Sequence, residues 1–98
     1  MAGGRNRSEA QIEHEVCRWA IEHDWLAIKY TPKGDRGWPD RIFINPCGRH
    51  IWVEFKAPGK KPRKLQDYRI RVLHDHNVLA VTFDNAEDAI NYLSTFTS

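Results

Sequence analysis

Gly37-Trp38-Pro39-Asp40, followed by His50-Ile51-Trp52-Val53-Glu54-Phe55-Lys56, decides how the rest of this chain folds. Asp40 comes straight after a turn signal and opens the apolar run Ile42-Phe43-Ile44, which places it at the start of a strand. Asn45-Pro46-Cys47-Gly48 reads as a turn, and a second strand follows. There the period of two puts His50, Trp52, Glu54 and Lys56 on one face and Ile51, Val53 and Phe55 on the other. The purely apolar face is the expected core side. Glu54 and Lys56 then project together, about 6–7 Å apart along the strand, beside a neighbouring strand that begins with Asp40. Two carboxylates and an ammonium converging at the end of a hairpin have the chemistry of a hard divalent-cation site with a cationic helper.

The flanking segments complete an alternating pattern. Residues 1–7 read as a flexible N-terminal tail and residues 8–98 as one folded unit. Ser8 with Gln11 three positions on fits a capping box and predicts a helix to about His23. Ile12, Val16, Trp19 and Ala20 form its apolar stripe, with Glu9 in the middle, Glu13 beside it and Glu15 pointing away. An acid on that stripe is costly without a partner, which makes Glu9 a candidate metal ligand. A first-turn Glu also complements the helix dipole, so a purely structural role stays open. Trp25 to Tyr30 reads as the first strand, and residues 31–37 as a loop. Residues 57–62 carry two prolines and must be loop. A helix from about Arg63 to His76 follows, with a wide apolar arc of Leu65, Tyr68, Ile70, Val72 and Leu73. Gln66 falls inside that arc, as either a satisfied core amide or a site residue. Val78 to Phe83 suits a buried strand reached by a helical crossover. Asp84 with Glu87 is the expected cap of a last helix striped by Ala86, Ala89, Ile90, Leu93 and Phe96. The order is α-β-β-β-α-β-α: an α/β fold with a mixed four-stranded sheet flanked by helices.

Composition narrows the function classes. With 98 residues, 41% of them hydrophobic, the chain is one small globular unit rather than a disordered one. No apolar run approaches membrane-spanning length, which argues against a membrane partner. Cys17 and Cys47 do not make a disulfide framework, so an intracellular setting is expected, cytoplasmic or nucleoid-associated. The net charge of +2 decides little, but Lys56, Lys60, Lys61, Arg63 and Lys64 fall within nine residues. Such clustering suits phosphate contacts, and a solvated loop is the alternative. The five histidines have no C-x-x-C or HExxH context for zinc, although His50 shares the face of Glu54. No Walker-type loop is present, so no nucleotide cofactor is expected. Trp38, in the Gly37–Asp40 loop, is the tryptophan expected to be exposed near substrate.

Pro39-Asp40 followed by Glu54-Phe55-Lys56 resembles the PD-(D/E)XK nuclease motif. With Gly37 two residues before Pro39, and Gln66 ten residues beyond Lys56, the pattern is similar to the VRR-NUC branch, the virus-type replication-repair nucleases. The resemblance covers nearly the whole chain, from Glu9 to the last helix, and implies a restriction-endonuclease-like core and a possible viral origin. It makes Asp40, Glu54, Lys56 and Gln66 the catalytic set. Glu9, Asp40, Glu54 and the backbone carbonyl of Phe55 become the ligands of Mg²⁺ or Mn²⁺. Lys33, Arg36, Lys60, Lys61, Arg63 and Lys64 would hold the DNA backbone without reading bases. The implied function is a metal-dependent DNA endonuclease acting as a homodimer on branched DNA, such as four-way (Holliday) junctions in DNA repair. The alternative is a non-catalytic nucleic-acid-binding module that keeps the fold as a scaffold.

Overall fold

The computed structural model describes residues 7–96. Helix α1 spans Glu9–Glu22, and its capping box is formed as the sequence predicts: Gln11 N–H donates to Ser8 Oγ, and Ser8 N–H to Gln11 Oε1. The helix stops at His23, and Asp24 reverses the chain in the left-handed region at φ 67°. Three strands follow: β1 at Leu26–Lys29, β2 at Arg41–Ile44 and β3 at His50–Phe55. Helix α2, Lys64–Asp75, crosses over to strand β4, Leu79–Phe83, and helix α3 closes the chain at Ala86–Ser94. The sheet order is β1-β2-β3-β4, antiparallel except for the parallel β3–β4 pair that the crossover requires. The α/β class and the α-β-β-β-α-β-α order are as the sequence predicts.

Both faces of β3 are covered. Ile51, Val53 and Phe55 are fully buried with Phe43 against Ile12, Val16 and Ala20 of α1 and Ala86, Ala89 and Leu93 of α3. On the other face Trp52 packs with Trp38, Val78 and Ala80 beneath Ile70 and Leu73 of α2. The hairpin's polar-looking face is thus a second, smaller core at its middle, and it opens only at the ends of the strands. That face is also where α2 spends its apolar arc: Ile70 and Leu73 are buried, while Leu65 and Tyr68 stay exposed.

Several boundaries differ from the sequence reading. Strand β1 is shorter than Trp25–Tyr30, because Trp25 turns inward into the α1–α3 core. Strand β4 is an edge strand, half-buried along most of its length; its apolar run reflects helices on both faces rather than strands on both sides. Arg7, read from the sequence as part of the tail, pairs with Glu15 and donates to the Gln11 carbonyl. The rest of the expected tail lies outside the described residues. The cap of α3 is one residue later than expected. Asn85 Oδ1 accepts from Asp88 N–H at 2.8 Å, whereas Asp84 accepts from Gly59 N–H and so ties α3 to the loop after β3. Among the described residues no helix is long and apolar enough to cross a membrane, and Cys17 and Cys47 form no disulfide.

Because the cap is Asn85, Asn85→Ala should lower unfolding free energy by about 1 kcal/mol. Urea denaturation measures this directly. A loss of less than a few tenths would show that the cap contributes nothing.

Candidate active site

The β2–β3 register pairs Arg41 with Val53 and Ile42 with Trp52. Continued by one residue, it sets Asp40 opposite Glu54, and opposed residues on an antiparallel ladder share a face, their Cβ atoms about 4.5–5.5 Å apart. Glu54 is only 5% exposed. Its Oε2 accepts from Gln66 Nε2 at 3.1 Å and lies 3.8 Å from Lys56 Nζ. Gln66 Oε1 accepts the Arg63 N–H at 2.9 Å, so the first turn of α2 fixes the amide with its NH₂ end toward Glu54. Gln66 is therefore both a helix-end acceptor and a partner of Glu54, which reconciles its two sequence readings. Lys56 is buried at the start of the next loop, where its backbone N–H donates to the Phe83 carbonyl.

Burial pushes the Glu54 carboxyl up to about 7, and the negative charge of Asp40 adds to the shift. Glu9 and Glu13 contribute in the same direction, and the Lys56 ammonium works against it. Glu9 itself is exposed in the first turn of α1, not buried in its stripe. The structure brings its charge to Glu54 without giving it a described partner.

Glu13 is more closely engaged than the sequence suggests. Its Oε2 accepts from Arg41 Nε at 2.5 Å and from Lys29 Nζ at 3.1 Å. Burial alone would raise the Glu13 carboxyl, but those two cations hold it below its ordinary value. Lys29 Nζ also donates to Asp40 Oδ2 at 3.1 Å. Lys29 and Arg41 are register partners on the α1 face of the sheet, so Lys29 reaches past the strand end to Asp40. Neither cation was singled out in the sequence. Their charge at the end of otherwise apolar strands was the available signal, but only the pairing register gives it meaning.

The segment before Asp40 is pinned to α2. Arg69 donates to the Arg36 carbonyl at 3.0 Å and to Asp35 Oδ1 at 2.9 Å, and its guanidinium lies 4.6 Å from the Trp38 ring centroid. Trp38 Nε1 donates to Asp35 Oδ2, and its ring packs on Trp52. Trp38 is thus a half-buried anchor rather than an exposed substrate contact. Gly37 adopts φ 90°, and a Cβ there would stand 2.5 Å from Leu65 Cγ, so this position requires glycine. Lys33, Arg36, Lys60, Lys61, Arg63 and Lys64 are all exposed on the loops and helix start flanking Asp40 and Lys56. His50 shares the strand face of Glu54 but sits at the other end of β3, bonded to the Gly48 carbonyl.

A solved structure described as a VRR_NUC domain superposes with a TM-score of 0.82 over 91% of this chain and 97% of its own, at 18% identity. The chain has the VRR-NUC fold. A protein of Acyrthosiphon pisum secondary endosymbiont phage 1 named "Putative nuclease p44" is 49% identical over 58 residues, 59% of this chain. That match spans 62% of the phage protein's own length. No family model matches the chain.

Among the described residues no three carboxylate, histidine or cysteine side chains stand together as a ready metal cage. The donor set nevertheless fits a hard cation. Asp40 and Glu54 offer oxygen only, and burial together with the neighbouring Asp40 charge lifts Glu54 in a way that a bound cation relieves. Two carboxylates suit an ion that keeps several of its waters, as Mg²⁺ does.

The raised carboxyl fixes the sign of a pH effect. Glu54 binds its proton more tightly in the folded chain than at its ordinary value of 4.5, so its contribution to stability is fully present below pH 4.5. It is lost as pH rises through about 7. Of the order of 3 kcal/mol at most is involved. In EDTA, Glu54→Gln should flatten the fall in melting temperature over that interval. An unchanged pH profile in the variant would place the titrating group elsewhere.

Proposed function

We propose that residues 8–98 are a nuclease unit that hydrolyses phosphodiester bonds in DNA with Mg²⁺ or Mn²⁺. The observation that carries this reading is the buried Glu54 opposite Asp40, with Gln66 and Lys56 converging on the same carboxylate oxygen. The VRR-NUC-like fold and a relative named as a nuclease support it.

In this reading Asp40, Glu54, the Phe55 carbonyl and Glu9 hold the cation, which would polarise the phosphate and acidify a bound water. Lys56 orients the attacking water and stabilises charge on the phosphate as it develops. Gln66 holds the Glu54 carboxylate in one orientation and competes with its protonation, since an amide N–H favours the ionised form. Lys33, Arg36, Lys60, Lys61, Arg63 and Lys64 bind the DNA backbone and make affinity salt-dependent. The substrate class proposed is branched DNA, four-way junctions in particular, cut by a homodimer inside the cell. Paired incision of a two-fold junction needs two sites related by the same symmetry.

A panel of duplex, flap, fork and four-way junction DNA, incubated with Mg²⁺, Mn²⁺ or EDTA, tests the reading. Cleavage should need the ion and favour the junction; preferential cutting of linear duplex would remove the branched-DNA proposal. Asp40→Ala and Lys56→Ala should each reduce cleavage by about 10²-fold or more. DNA binding, measured by gel shift, should survive in both variants. If both bind DNA and cleavage was absent in the wild type too, the chain is the non-catalytic binding module instead.

Glu9→Gln should lower both cleavage and the Mn²⁺-induced rise in melting temperature. A variant matching the wild type in the same titration would take Glu9 out of the ligand set.

A further inference from the structure

Asp40 and Glu54 each have a cationic or amide partner, and one of those partners does not belong to the proposed catalytic set. Lys29 Nζ stands 3.1 Å from Glu13 Oε2 and 3.1 Å from Asp40 Oδ2. Glu13 does not need Lys29 for neutralisation, because Arg41 occupies the same oxygen at 2.5 Å. Arg41 is itself held by the Ala27 carbonyl, across the β1–β2 ladder. The positive charge of Lys29 is therefore in surplus on Glu13 and is directed at Asp40. Asp40 in turn stands opposite Glu54 when the β2–β3 register is continued by one residue, so the ammonium lies near both strand carboxylates.

We propose that Lys29 is a tethered counter-ion: it neutralises Asp40 in the metal-free chain and withdraws from that carboxylate when a divalent cation binds, and so sets the metal affinity of the site. The inference rests on the metal-dependent reading above. Two cations on one carboxylate repel each other, and an ammonium about 6 Å from a divalent ion weakens its binding by about tenfold at the dielectric of water. Lys29 is a positioning residue here. It acts through Asp40, and Glu13 is the post to which it retires, since its second hydrogen bond survives when the first is lost. The arrangement also keeps like charges from crowding the strand end before metal arrives.

The test is calorimetric titration of Mn²⁺ into wild type, Lys29→Met and Lys29→Arg at pH 8, alongside thermal melts with EDTA and with Mn²⁺. Lys29→Met should bind Mn²⁺ about tenfold more tightly. It should also melt lower than wild type in EDTA and gain more on adding Mn²⁺. Lys29→Arg keeps the charge and should behave as wild type. An equal or weaker affinity in Lys29→Met, with normal binding in wild type, overturns this inference alone. No Mn²⁺ binding in any of the three overturns it together with the metal-dependent reading. Should Lys29→Met fail to fold, nitrogen NMR of the wild-type lysine ammonium groups decides the matter: the Lys29 signal must move during a Mg²⁺ titration, and a stationary signal overturns the proposal.

Discussion

One carboxylate constrains everything around it. Glu54 is placed on the inner strand β3, almost entirely buried, next to a second acid. A buried charge is tolerated only with partners, and the chain supplies two. Gln66 comes from the first turn of α2 and Lys56 from two residues along the strand, while Asp40 faces Glu54 across the ladder as a like charge. All three are fixed by ordinary secondary structure: a helix-end hydrogen bond, a backbone bond to Phe83, and the antiparallel register.

The sheet gives that arrangement a direction. Apolar side chains fill the middle of both faces of β3, so polar groups collect where the strands end. At the Asp40–Glu54 end they form an alternating array of acids and bases: Glu13 with Arg41 and Lys29, Lys29 with Asp40, Lys56 with Glu54. The loops that leave the same end carry exposed lysines and arginines. An acidic floor beneath a basic rim suits a polyanion that meets a cation at its base. The loop preceding Asp40 is kept in place from outside by Arg69 and Trp38, which hold it against α2.

Much of this was legible in the sequence. Period-two alternation from His50 to Lys56 named the core face of β3 and put Glu54 and Lys56 together. The Ser8–Gln11 pair marked the start of α1, and the helix between two apolar runs implied the parallel β3–β4 pair. Local chemistry decided these features, and local chemistry is written in order along the chain. Where neighbours compete for one role the reading slipped, as at Asp84 and Asn85: either can cap a helix, and the choice depends on Gly59 being near enough to claim the first.

What the sequence by itself determined is the α/β order of elements and the identity of Asp40, Glu54, Lys56 and Gln66 as a candidate set. Tertiary structure alone decided that Trp38 is an anchor, that Glu9 is exposed while Glu13 is engaged, and that Lys29 reaches Asp40. The reason is physical. A helical wheel or a strand alternation assigns a side chain to a face, but its partner depends on which strands pair and in what register. Glu13, Lys29 and Asp40 are separated by 16 and 11 residues along the chain, and only the closing of β1 onto β2 beneath α1 makes them neighbours.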